Sequence, residues 1–331
     1  GTFYKTENRK FLEVSFVLKN DTEYAKKGTE MCRTQIELPN ERQKEFVQPV
    51  KGKMKVESGR FVILESGRTA ATIDLAKGKI CSLKKDDKEL LNSPASFTCW
   101  RAPTDNDIYD KVRWNDQFIR YAEFNVNKTQ INEIDSSVIL SGTFGGPARI
   151  PLLELDVRFA AENDGLAVNV SARRTHENKL NQLPRFALML DLVPGFEDLE
   201  YFGRGKECNY SDIKNHSLLG VFESKVSDEY VPLIRPQEHG NHTECEYVKL
   251  SDKETTVTVE SDNFEFSALH CSMDSLTDTT HYFDLEMSED TYLMINYKVG
   301  GIGSNSCGPK ADKQYLFDEE SFDFDFSIKT E

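Results

Sequence analysis

Apolar and polar residues alternate with a period of two along much of this chain, which is the pattern of strands with one buried face. In 11–18 (FLEVSFVL), Leu12, Val14, Phe16 and Leu18 fall on one side. In 32–38 (CRTQIEL), Cys32, Thr34, Ile36 and Leu38 alternate with Arg33, Gln35 and Glu37. The clearest local signal is 153–172. There Leu155, Val157 and Phe159 alternate, Asn163-Asp164-Gly165 supplies a turn, and Leu166, Val168 and Val170 alternate back. That order predicts a β-hairpin. The same pattern recurs in 61–75 around Ser66-Gly67, and 322–328 sets Phe322, Phe324, Phe326 and Ile328 on one side. Helical signal is thin: 110–120 can make a turn or two, and no longer segment holds a 3.6-residue period with caps. Strands at short spacing, punctuated by Gly, Asn and Asp, predict an antiparallel sandwich.

One boundary interrupts the alternation. The stretch 38–52 is polar and carries Pro39 and Pro49, dividing a short N-terminal piece (1–50) from a large body (51–331). Two strands cannot bury enough apolar area to stand alone. The N-terminal piece therefore reads as the last part of a domain.

Composition narrows the function classes. A length of 331 residues suits one large domain plus a smaller piece, and 21 Phe with 12 Tyr supply a sizeable core. A net charge of -15 repels phosphate backbones, which argues against a nucleic-acid partner. No run approaches the ~20 apolar residues of a membrane helix. The cysteines (Cys32, Cys81, Cys99, Cys208, Cys245, Cys271 and Cys307) are scattered, odd in number and free of any CxxC pair. They read as free thiols in a reducing compartment, hence a cytoplasmic protein. Gly1-Thr2-Phe3-Tyr4-Lys5 lacks the apolar segment of a signal peptide.

Four polar loops hold the candidate chemistry. In WRAPTDND (100–107), Asp105, Asn106 and Asp107 follow Pro103, so a loop displays amide and carboxylate groups beside aromatics. Such groups suit sugar hydroxyls, which need donors and acceptors together; the plainer reading is an Asx-turn that caps the loop. GRGKECNYSD (203–212) lacks the strand-to-helix context of a phosphate loop and reads better as a rigid turn around Tyr201 and Tyr210. RPQEHGNHTEC (235–245) offers His239, His242 and Cys245, but their spacing matches no zinc pattern and Gly240-Asn241 reads as a turn, so no metal is expected. GGIGSNSCGP (300–309) is a glycine-rich loop whose Cys307 has no visible base. Glycoside hydrolysis needs two carboxylates flanking the scissile bond, and 56 acidic residues leave no pair singled out.

WRAPTDND, LPRFALML, GRGKECNYSD, YVPLIRPQEHGN, FSALH and GIGSNSCGP occur here in one order. Together they resemble the C-terminal small-chain region of the bacterial β-galactosidases of glycoside hydrolase family 2, over about 56–331. The stretch 11–38 resembles the last strands of the immunoglobulin-like domain that precedes it. The resemblance implies an all-β, galactose-mutarotase-like supersandwich. It also implies that both catalytic glutamates lie in a (β/α)₈ barrel elsewhere on the polypeptide, of which this chain has no trace. No catalytic residue and no cofactor is then expected here, and the family's Mg²⁺ and monovalent cation would belong to the barrel. Implied partners are β-galactoside sugars and the barrel, with a homo-oligomer left open.

Within the family this region lends loops to the rim of the barrel's active site. The matching residues are Asp105, Asn106 and Asp107, the tip 108–111 with Tyr109, and the loop holding Asn305 and Cys307. The resemblance implies a mobile tip. Many relatives place a sugar-stacking tryptophan where this chain has Cys307, and a thiol offers far less contact area. Trp114 or Tyr109 is left to supply an aromatic face. Lys206-Glu207-Cys208 departs from the Pro-x-Glu of many relatives. Two other readings compete: a stand-alone aldose 1-epimerase, which needs an acid and a base around one pyranose, and a carbohydrate-binding module, which would show a row of exposed aromatics along a sheet.

Overall fold

A computed structural model describes residues 2–5, 9–39 and 50–331. All named strand pairings are antiparallel, and they fall into a three-stranded sheet near the N-terminus and one large curled ladder. Strands Glu123–Asn132, Ser137–Gly145, Leu153–Glu162 and Gly165–Arg174 form a meander. Gly165–Arg174 then pairs with the C-terminal strand Ser321–Thr330. Strand Thr256–Leu269 joins the two layers. Its first residues pair with Ser321–Thr330, and its last pair with Thr291–Val299. Arg185–Leu192 lies between Thr291–Val299 and Leu91–Thr98. The result is the antiparallel all-β sandwich expected from the alternation.

The predicted hairpin forms at 153–174. Glu162 pairs with Gly165, and Asn163 and Asp164 between them take φ of +53° and +61°. That two-residue turn matches the twist of the strands it joins. Ser66 likewise pairs with Thr69 across Gly67-Arg68, Gly67 at φ +57°. Leu155, Val157, Phe159, Leu166, Val168 and Val170 are buried, as are Phe322, Phe324, Phe326 and Ile328. Phe186 centres the aromatic packing, 5.5 Å from Phe97 and 5.1 Å from Phe322 between ring centroids.

The N-terminal sheet corrects one expectation. Lys10–Val17 and Glu30–Leu38 pair as predicted, and Thr2–Lys5 adds a third strand. The buried side chain is Phe11, not the Leu12/Val14/Phe16 face; Phe16 is 59% exposed. Phe11 reaches the large sheet, stacking on Phe202 at 6.3 Å beside Leu219. Gln35 adds a two-way bond to the Leu219 backbone, at 2.7 and 3.0 Å. Period-two alternation reports that a strand has two faces; which one meets a neighbour is set by what lies beside it. The boundary stretch falls mostly at 40–49, outside the described residues.

Two short helices lie against the sandwich. One, Asp110–Asp116, is the turn or two predicted at 110–120. The other, Met273–Asp278, starts at Ser272, whose side chain accepts from the Ser275 N–H, and had no sequence signal. Arg120 ties them, donating to Asp274 at 2.7 Å and to both oxygens of Asp278 at 2.6 and 2.7 Å.

Candidate functional site

The run 100–107 forms a rigid corner. Asp107 is buried, and its carboxylate accepts from Arg101 Nη2 (2.6 Å), Thr104 N (2.8 Å) and Thr104 Oγ1 (3.0 Å). Burial pulls the Arg101 guanidinium toward neutrality, but Asp107 and Glu238 outweigh it and raise its pKa. Arg101 also donates to the carbonyls of Gly300 and Gly301. Asp105–Asp107 is a single 3₁₀ turn that passes almost directly into the helix Asp110–Asp116. The expected loop tip at 108–111 is therefore the start of a helix, with Ile108 and Tyr109 on the outside.

Asn106 joins this corner to the glycine-rich loop almost 200 residues later. Its Nδ2 donates to Gly303 O at 2.6 Å, and its Oδ1 accepts from Ser306 Oγ at 2.7 Å and Ser306 N at 3.2 Å. Between the two segments lies a cavity of about 150 Å³, lined among others by Asp110, Arg113, Asn181, Gln182, Asn305 and Lys310. Trp114, Leu180, Ile302, Ala311 and Leu316 also line it, so polar groups and apolar surface meet there, a mixture that suits a sugar's hydroxyls and its apolar face. Asp107 borders the same cavity with both oxygens engaged, which makes it a framework residue and a poor nucleophile.

Trp114 lines this cavity from the core side and is no exposed platform. It is 1% exposed, packed edge-on against Trp100 at 6.2 Å and under the Arg101 guanidinium at 5.4 Å. A helix that lies on a sandwich must bury one stripe, and Trp114 is on it. Tyr109, 61% exposed, is the aromatic side chain available on this corner. Cys307 and Asp105 are exposed and Asn305 is half-buried. Arg101, Gln182 and Lys310 had no sequence signal as a group, since their convergence depends on strand pairing across the fold.

The 235–245 segment is a structural knot. His242 is fully buried, with Nδ1 3.0 Å from Tyr201 Oη and 3.2 Å from Arg204 O, and Nε2 2.7 Å from Glu229. Cys245 is buried with its thiol toward backbone carbonyls, and His239 lies by Cys208 at 3.8 Å. Burial lowers the pKa of His239. Asn241 bonds Asn209 O at 3.0 Å and Glu265 at 2.9 Å, and Asn209 accepts in turn from Thr243. The 203–212 and 235–245 motifs thus interlock in the interior. Arg185, Glu238 and His239 share a cavity of only about 10 Å³. That is room for about one water molecule and not for a pyranose.

The chain matches the family described as "Beta galactosidase small chain" over residues 65–328. It is 32% identical over 84% of its length to a β-galactosidase of Actinobacillus pleuropneumoniae, and 36% identical over 75% to one of Staphylococcus xylosus. It covers 28% and 25% of those two proteins, so it spans about a quarter of their length. A galactose mutarotase-like protein from Lactobacillus casei is similar in structure at TM-score 0.48, with 11% identity, covering 82% of this chain and 100% of that one.

Proposed function

Because the chain belongs to the β-galactosidase small-chain family, we propose that it is the active-site-rim portion of a longer enzyme that removes terminal β-galactose residues. The observation that carries this reading is Asn106, which clasps the 301–311 loop onto the 100–107 corner and so forms one wall of the cavity between them. The chain's part is to bind and orient the sugar or its leaving group, while proton transfer and nucleophilic attack fall to the barrel's glutamates. The Mg²⁺ and monovalent cation are expected of the longer enzyme; among the described residues, no three His, Cys, Asp or Glu side chains are grouped to hold a metal. They belong, on this reading, to the barrel.

The epimerase alternative lacks a pyranose-sized space at its buried Arg–Glu–His cluster. For a binding module, no row of exposed aromatics runs along the large sheet among the described residues: Tyr109, Phe118, Tyr121, Tyr282 and Phe283 sit on turns and short helices, and Phe16 lies alone on the N-terminal sheet. No helix among the described residues is long and apolar enough to cross a membrane, and seven free thiols favour a cytoplasmic location. The N-terminal sheet, with Phe16 and Ile36 exposed on one face, is read as part of an immunoglobulin-like domain that residues outside this chain complete. A longer polypeptide in which Phe16 remains open to solvent, by hydroxyl-radical footprinting, would refute that.

Steady-state kinetics test the rim. In the longer enzyme, Asn106→Ala removes three hydrogen bonds and is expected to raise KM for galactosides about 5–20-fold, with a smaller change in kcat. Cys307→Trp adds an aromatic face and is expected to lower KM about 3–10-fold. Values unmoved in both variants, over several galactosides, remove the rim assignment. The chain alone is expected to turn over no chromogenic β-galactoside; turnover abolished by a substitution within 1–331 would overturn the division of labour.

A further inference from the structure

We propose that Asp212 is the positioning residue of the 301–311 loop, holding it from beneath while Asn106 holds it from above. The proposal rests on the reading of that loop as a sugar-facing rim, and it adds a residue that touches neither the cavity nor the sugar. Asp212 sits on a tight turn in which Tyr210 and Ile213 exchange backbone hydrogen bonds at 3.2 and 2.8 Å. The turn is anchored in the interior, because Tyr210 is buried with its hydroxyl 3.4 Å from Glu238. From there the Asp212 carboxylate accepts from Ile302 N at 3.1 Å and from Gly303 N at 2.6 Å.

Two successive N–H groups converging on one carboxylate make a backbone anion nest, and charge-assisted bonds of this kind are the stronger class. The fit is close. A Cβ on Gly301 would lie 2.9 Å from the Asp212 carboxyl carbon, so a side chain there would push the turn and the loop apart. Gly303, at φ +62°, is held at both ends of its backbone: its N–H by Asp212 and its carbonyl by Asn106. The same turn makes a second contact, since Ser211 Oγ donates to Tyr315 O at 3.3 Å, the carbonyl that also accepts from Gly301 N at 2.8 Å. With the loop's entry pinned this way, Asn305 and Lys310 have fixed positions on the cavity wall.

Two measurements separate the clamp from the rim. The first is limited trypsinolysis of this chain at Lys310, an exposed site inside the loop. Cleavage there follows the population of the opened loop, and Asp212→Ala is expected to speed it about tenfold. Asp212→Asn keeps one acceptor oxygen and should fall between, a partial rescue that also serves if the alanine variant fails to fold; far-UV circular dichroism verifies folding. Cleavage at the wild-type rate in the folded variants overturns the proposal. The second is kinetics of the longer enzyme, where Asp212→Ala should raise KM about fivefold or more while kcat stays within about twofold. Faster cleavage with KM unmoved upholds Asp212 as the loop's clamp and instead sinks the sugar-facing rim.

Discussion

Arg185→Ala is expected to destabilise the chain by about 3–5 kcal/mol, the cost of leaving a buried partner charge uncompensated. Arg185 and Glu238 meet at 2.6 Å with side chains 1% and 3% exposed. Around them the site is tightly filled: Arg185 Nη1 lies 3.2 Å from Met273 Sδ, and the Glu238 N–H donates to Ala102 O at 3.1 Å. Removing the guanidinium leaves the buried Glu238 carboxylate without its charge partner, beside the Tyr210 hydroxyl at 3.4 Å. Glu238→Ala should cost a similar amount for the mirror-image reason. The double variant Arg185→Met, Glu238→Leu removes both charges at similar volume and should return to within about 1 kcal/mol of the parent. Urea denaturation midpoints check the series. A single variant as stable as the parent would mean the pair is hydrated after all.

The second large effect is on pH. Burial pushes the Glu265 carboxyl up to about 7, against the bonds from Asn241 and the Val299 N–H and the positive charges of Arg185 and Lys298. In the folded chain Glu265 therefore keeps its proton to higher pH than in the unfolded chain, where it is lost near 4.5. Because the folded state binds more protons between those values, this group's contribution to stability falls as pH rises from about 4.5 to 7 and is flat above. The roughly 2.5 pH units between them, at about 1.4 kcal/mol each, make an effect on the order of 3 kcal/mol. Glu265→Gln removes the titration while keeping an oxygen for Asn241 Nδ2 and Val299 N. It should leave stability at pH 4.5 nearly unchanged and raise it by up to about 3 kcal/mol at pH 8. Other groups of the chain titrate in both proteins, so the difference between variant and parent isolates Glu265. Parallel stability curves for the two proteins would refute the assignment.

Local physics was legible in the sequence wherever a few neighbouring residues decide the outcome. The 153–174 hairpin needs only two alternating runs and an Asn-Asp turn, and it formed where the pattern put it. The Phe322/Phe324/Phe326 face is buried for the same reason, as one side of a strand inside a sandwich. The ordered motifs identified the family, and WRAPTDND was recognisable as a corner of polar groups. Faces and partners were not legible. Phe11 is buried and Phe16 exposed because the large sheet happens to lie on Phe11's side. Trp114, which in sequence could as well be a platform, is core because its helix lies on Trp100.

The cavity at the Asn106 corner shows the division most plainly. Its residues lie in stretches around 101–114, 180–182 and 301–316, brought together by strand pairings that span most of the chain. Asp212, about 90 residues from the backbone it clamps, carries no local mark of that role. The sequence by itself determined the strands at 11–18, 32–38, 61–75, 153–172 and 322–328, the turns at 66–67 and 163–165, the loops rich in hydrogen-bonding groups and the family, since these depend on neighbours along the chain and on motif order. Tertiary structure alone decided which strand faces were buried, which aromatic stayed accessible and which polar groups met around the cavity. Those outcomes depend on contacts between distant segments, and a single chain's periodicity holds no record of them.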